Sequence, residues 1–190
     1  MDQNKAAESR TSKIKNSILE WIETIFISIA VIIFVLIFVF RIVEVDGDSM
    51  LPTLHEEERL ITLTTLYQLE HNDIIVVSRT GKEPIVKRVI AMAGDTVDID
   101  FEQGVVYINN QVVDEPFILE PTHEDGGSRG ITYPVTVPEG YVFVMGDNRN
   151  DSLDSRFQEI GMISVDNILG EVVFRIFPFD QWGSVTLKKG

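Results

Sequence analysis

A chain of 190 residues has room for one compact domain and an appendage, which excludes two large catalytic domains. Its 16 Lys+Arg against 30 Asp+Glu leave a net charge of −14, so nucleic-acid phosphates are repelled and a nucleic-acid partner is not expected. Cysteine is absent. That removes disulfides, thiolate metal sites and a thiol nucleophile, and leaves the chemistry to oxygen and nitrogen.

The first element in chain order is an apolar helix. Ile25–Phe40 is interrupted only by Ser28, and extending the run to Ile22–Ile42 adds only Glu23, Thr24 and Arg41 as polar positions. About 20 helical residues cross a hydrocarbon core of about 30 Å. The run is too apolar on every face for a soluble core helix. It is too long for a cleaved leader, and no small-x-small cleavage site follows it. Lys5, Arg10, Lys13 and Lys15 precede the span, whereas most of the acidic excess lies after Arg41. Basic flanks stay cytoplasmic. The expectation is a cytoplasmic tail over 1–20, a transmembrane helix over 21–42 and an extracytoplasmic domain over 43–190, in a single-pass protein of the cell membrane.

After residue 42 the pattern changes to short β-branched runs separated by Gly, Pro, Asn and Asp, which predicts an all-β domain. Strands are expected at Ile42–Asp46, Leu60–Thr64, Ile74–Ser78, Ile85–Ala93, Thr96–Ile99, Val105–Ile108, Gln111–Val113, Ile131–Val137, Tyr141–Met145 and Ile168–Phe177. Asn109-Asn110 reads as a tight hairpin, since Asn tolerates the left-handed backbone such turns need. Asp114–Gly130, with its prolines and glycines, reads as an exposed loop. Phe177, Phe179 and Trp182 either close the β core or face the membrane interface.

Three segments carry candidate chemistry. Gly47-Asp48-Ser49-Met50-Leu51-Pro52-Thr53-Leu54 is a turn just after the span, so Ser49 lies within roughly 30 Å of the membrane boundary. A lone Ser in such a turn is more often a turn-former than a nucleophile; it needs a base. Lys87 lies in Ile85–Ile90, where alternation puts it on one strand face between Ile85 and Val89. Burial there would lower its pKa and free an uncharged amine, although a strand lysine can also simply reach out to water. Gly146–Arg156 follows the apolar strand Tyr141–Met145 and is dense in turn-formers and charges. Read from Asn148 as a calcium loop it fails, with Leu153 at the glycine position and Arg156 at the ninth. His55, His71 and His123 have no metal-ligand spacing, and no metal or cofactor is expected.

In this order, behind a membrane span, these segments resemble type I signal peptidases, the serine-lysine endopeptidases that release exported proteins from their signal peptides. The resemblance rests on Ser49–Leu54, Lys87-Arg88, Gly94-Asp95 and Gly146–Arg156, and the small size is most like the short Gram-positive members. It implies an irregular, mostly antiparallel β domain. Ser49 would be the nucleophile, Lys87 the general base and Ser152 the hydroxyl that orients the lysine. Asp147, Asp154, Arg156 and Arg88 would support them. Val43, Val45, Met50, Leu54, Ile85 and Val86 would line shallow pockets for the small residues at positions −1 and −3 of a signal peptide, though each also reads as ordinary core. The implied partners are signal peptides of secreted preproteins, membrane lipid and the export machinery. Two departures stand out. Gly47 occupies the place where some relatives carry a serine that helps bind the oxyanion. Asn150 follows Arg149 where an Asp is usual, with Asp151 next. A soluble self-cleaving repressor shares the chemistry but has a DNA-binding module in place of a span. A non-catalytic binding relative would have lost Ser49 or Lys87.

Overall fold

The computed structural model describes residues 2–65 and 67–185, so the end of the expected domain at residue 190 lies outside the described residues. It divides into two units, a helix up to Val39 and a β domain from Phe40.

The helix, α1, runs from Asp2 to Val39. Within it Leu19–Val39, 21 residues, is long and apolar enough to cross a membrane, and none of it is buried. At about 1.5 Å per residue that segment is about 31 Å long, matching a hydrocarbon core. Its two small polar groups are satisfied locally: Thr24 Oγ1 donates to Glu20 O and Ser28 Oγ to Thr24 O, each at 2.8 Å. Such back-bonding removes the penalty of an unpaired hydroxyl in lipid. The helix ends three residues before the expected limit at Ile42 because Phe40 onward pairs as a strand.

Among the described residues the β domain has twelve strands: β1 Phe40–Glu44, β2 Arg59–Leu63, β3 Ile74–Arg79, β4 Lys82–Met92, β5 Thr96–Asp100, β6 Val105–Ile108, β7 Gln111–Val112, β8 Val135–Thr136, β9 Tyr141–Met145, β10 Ile163–Ser164, β11 Ile168–Phe177 and β12 Gly183–Ser184. They form a large sheet in the order β1-β2-β11-β3-β4-β9-β10, with β12 on β11, and a small sheet β7-β6-β5-β8. Neighbouring strands are antiparallel, as at β3–β4 and β4–β9. This is the irregular all-β architecture expected.

Tyr141–Met145 and Ile168–Phe177 match their expected strands. The hairpin at Asn109 and Asn110 has both residues left-handed, with φ of 51° and 64°. Only Val135–Thr136 of the expected strand Ile131–Val137 is extended in a ladder, because Pro134 lacks the N–H a ladder needs. β10 and β12, two residues each, are too short to show alternation in sequence.

The core explains the layout. Ile90, Ala91, Phe143 and Met145 of the large sheet pack with Val97, Ile99 and Val106 of the small one, and this cluster joins the two sheets. Burying a side chain such as Phe143 stabilises by about 1.5–3 kcal/mol. A second cluster, with Val45, Met50, Leu54, Leu60, Ile74 and Val76, seats the 45–54 turn on β2 and β3. The Asp114–Gly130 segment is the mostly exposed loop expected, but Phe117 and Thr122 within it are buried, and the Arg88 guanidinium lies 4.1 Å from the centre of the Phe117 ring. Phe179 and Trp182 remain 79% and 66% exposed, so they do not close the core.

Candidate active site

The 47–54 turn is built by its own backbone. Gly47 supplies a left-handed φ of 79° that other residues adopt at a cost. Leu51 N–H then donates to Asp48 O (3.1 Å) and Leu54 N–H to Met50 O (2.9 Å). Ser49 is left at the rim, half-buried, while Met50 and Leu54 turn into the core.

Lys87 approaches from β4, opposite the fully buried Ile75 of β3. It is only 3% exposed. Its Nζ lies 2.6 Å from Ser49 Oγ and 3.0 Å from Val86 O. Burial is the main cause that pushes the Lys87 ammonium down from 10.5 to about 8; Arg79 and Arg156 push the same way, and Asp154 and Asp147 oppose them. An amine that sheds its proton near neutrality and touches a hydroxyl can take that hydroxyl's proton.

The third segment wraps this pair. Asn148 N–H donates to Ser49 O at 3.0 Å, and Asn148 Nδ2 to Asp48 O at 3.1 Å. Gly146 fits because it has no side chain: a Cβ there would collide with Ser152 Oγ and Ser49 O. The same contacts bring Ser152 beside the pair. Its hydroxyl donates to Asp154 Oδ2 at 2.8 Å, and no bond from it to Lys87 is present. Asp154 also accepts from Gly146 N–H and from both Nε and Nη2 of Arg156, so the loop is tied to one carboxylate.

Two more buried ion pairs anchor the surroundings. Arg88 grips Asp147 through Nε (2.8 Å) and Nη2 (2.6 Å), and Thr53 Oγ1 donates to the same carboxylate, which links the Ser49 turn to β4 and to the 146–156 loop. Arg149 holds Glu115 with Nη1 and Nη2 and donates from Nε to Gly146 O. Asn150, the departure after Arg149, accepts from the backbone N–H of His123 and Glu124 and donates to Pro121 O. It is a brace for the 121–124 segment. Asp151 is exposed.

Beside Ser49 and Lys87 lies a groove of about 200 Å³ lined by Val43, Val45, Met50, Ile85 and Val86, together with Asp46, Arg79 and Glu83. Five of the six residues expected to line substrate pockets are therefore brought together. Leu54 is not, because its helical turn points it into the core below Met50, where it is fully buried. Each histidine is engaged elsewhere: His71 Nε2 is 2.7 Å from Asp95, His123 Nδ1 is 2.9 Å from Phe101 O, and the carbonyl of exposed His55 accepts from Glu58 N–H.

Comparison with known proteins gives this arrangement its context. Residues 18–177 match the family described as signal peptidase, peptidase S26. The chain belongs to the S26 family of signal peptidases. It is 36% identical over 183 residues to signal peptidase I of Bacillus licheniformis, covering 92% of this chain and 96% of that one. It is 38% identical over 175 residues to signal peptidase I S of Bacillus subtilis strain 168, covering 88% and 93%. A crystal structure of a signal peptidase I from Enterococcus faecalis V583 aligns with a TM-score of 0.43 and 26% identity over 56% of this chain and 98% of that chain. The family accounts for the peptidase activity, and the apolar Leu19–Val39 segment, long enough to cross a membrane, is consistent with membrane anchoring.

Sequence reasoning passed over Gly146, Asn148 and Thr53 as individual residues, although all three lie within the quoted motifs. Their signal was weak. A glycine that excludes a side chain and an amide that braces a backbone look like any turn residues until the facing segment is known.

Proposed function

We propose that this S26 signal peptidase cleaves signal peptides from exported preproteins after small-x-small sequences with a Ser49/Lys87 dyad. The observation that carries the reading is the 2.6 Å approach of Lys87 Nζ to Ser49 Oγ, made by a lysine whose burial lowers it to about 8. The substrate lies extended in the groove, with small residues facing Val43, Val45, Met50, Ile85 and Val86. Ser49 Oγ attacks the scissile carbonyl as its proton passes to Lys87 Nζ. The C–N bond then breaks, and the leaving amine takes the proton back from Lys87. Water, deprotonated by the same amine, attacks the acyl-enzyme ester; Ser49 leaves and recovers its proton. Ser152, whose hydroxyl is held by Asp154 and lies against Gly146, takes the lysine-orienting role that the family resemblance implies.

The basic flank before the span supports an N-terminus in the cytoplasm and a β domain outside, where precursors emerge from the export machinery. The test is to incubate the detergent-solubilised protein with a secretory precursor and locate the cut by mass spectrometry. A single cut after a small-x-small sequence is expected. No cut, or cuts unrelated to small residues, contradicts the reading.

A further inference from the structure

We propose that Asn148 is a positioning residue that aims the Ser49 N–H at the oxyanion, an inference that rests on the Ser49/Lys87 reading above. The peptide group is planar and trans, so the Asp48 carbonyl and the Ser49 N–H point in opposite directions from one rigid plane. Fixing the oxygen therefore fixes the N–H. Asp48 O is held by two donors, Leu51 N–H and Asn148 Nδ2, each at 3.1 Å. The Ser49 N–H at the far end of that plane has no acceptor among the described residues.

The same residue holds the next plane as well. Asn148 N–H donates to Ser49 O at 3.0 Å, so one buried asparagine, 7% exposed, pins the peptides on both sides of the nucleophile. It touches neither Lys87 Nζ nor Ser49 Oγ through any hydrogen bond, which separates it from the proton transfer. Gly47, at a left-handed φ of 79°, brings no side chain to the turn that could share this task. The side chain must be a neutral donor: a carboxylate would face the Asp48 carbonyl with like partial charge, and an aliphatic group would leave that oxygen with one partner fewer.

The experiment uses the full chain in detergent micelles. Asn148→Leu keeps the main-chain bond to Ser49 O and removes only the amide. We expect kcat on a peptide substrate to fall about 10- to 100-fold, short of the loss from deleting a donor outright, with KM within about twofold. The midpoint of the pH–rate profile stays at that of the parent, because Lys87 is untouched. A peptide aldehyde, whose hemiacetal oxygen occupies the oxyanion position, loses affinity in parallel with kcat, while a C-terminal peptide amide of the same sequence, which forms no hemiacetal, binds as before. A kcat within about twofold of the parent, equal weakening of aldehyde and peptide amide, or a displaced pH midpoint overturns the proposal. If Asn148→Leu does not fold, Asn148→Ala supplies the same comparison with a smaller side chain that donates no hydrogen bond. Ser49→Ala, assayed alongside, tests the dyad separately. Turnover in Ser49→Ala contradicts the dyad itself, whereas an inactive Ser49→Ala beside a fully active Asn148→Leu contradicts only the role of Asn148.

Discussion

Lys87 Nζ lies 2.6 Å from Ser49 Oγ although the two residues stand 38 positions apart, on a β-strand and on the turn that follows the first strand. With no histidine at Ser49, the proton of the hydroxyl has one short route. Lys87→Arg is therefore expected to be as inactive as Lys87→Ala, since a guanidinium stays protonated and cannot accept a proton. Both variants, and Ser49→Ala, should lose at least about 10³-fold in turnover of a precursor. Replacing His55, His71 or His123 by Ala should leave turnover within about threefold. Measured rates on one precursor decide between a lysine and a histidine base.

The buried lysine also affects stability. Its folded value of about 8 lies below the ordinary 10.5, so between those pH values the unfolded chain binds more protons than the folded one. Stability therefore rises with pH across that window, and below it the domain bears the full cost of a charge it buries. Lys87→Met, similar in shape and uncharged, should be more stable than the parent at pH 7 by on the order of 3 kcal/mol at most. The gain should shrink toward pH 10.5. Denaturant midpoints at several pH values read the effect directly.

Gly146 separates two functional loops by having no side chain, because a Cβ there would collide with Ser152 Oγ and Ser49 O. Gly146→Ala must push the Ser49 turn, the Ser152 hydroxyl or both. A displacement of about 1 Å at reacting groups costs about 100-fold in rate, and that is the loss expected here. Steady-state kinetics, with circular dichroism to show an intact β domain, check it.

Arg88 and Asp147 form a fully buried ion pair that also receives Thr53. Asp147→Ala leaves the guanidinium buried with no carboxylate, a change that costs about 3–5 kcal/mol in comparable pairs. A clear fall in Tm is expected, larger than for Glu44→Ala, whose partner Arg59 is exposed. Equal Tm values for the two variants would show that the buried pair does not hold the site together.

Much of this was legible in the sequence, for physical reasons that differ by element. β9 and β11 read cleanly because their apolar runs are bounded by turn residues, and the Leu19–Val39 part of α1 because it is apolar on every face. Lys87 and Ser49 could be named from their motifs, yet their contact depends on the ladder that sets β4 beside β3 and on the core that seats Met50. That is long-range packing, which local pattern does not carry. Phe117 looked like an exposed loop residue because its neighbours are polar and proline-rich; it is buried because the loop folds it into the core cluster with Ile90 and Phe143, beside the Arg88 guanidinium. Leu54 looked like a pocket residue by the family resemblance alone, whereas the hydrogen bond from Leu54 N–H to Met50 O turns it inward.

The central claim is that an uncharged Lys87 is the base, and the pH dependence of kcat/KM on a peptide substrate tests it most directly. This quantity reports ionisations of the free enzyme. With the amine at about 8, the rate should rise close to tenfold per pH unit on the acid side, bend near 8 and level above it. A profile that bends instead near 6.5, the ordinary value for histidine, or that stays flat from pH 6 to 10, would contradict a lysine base.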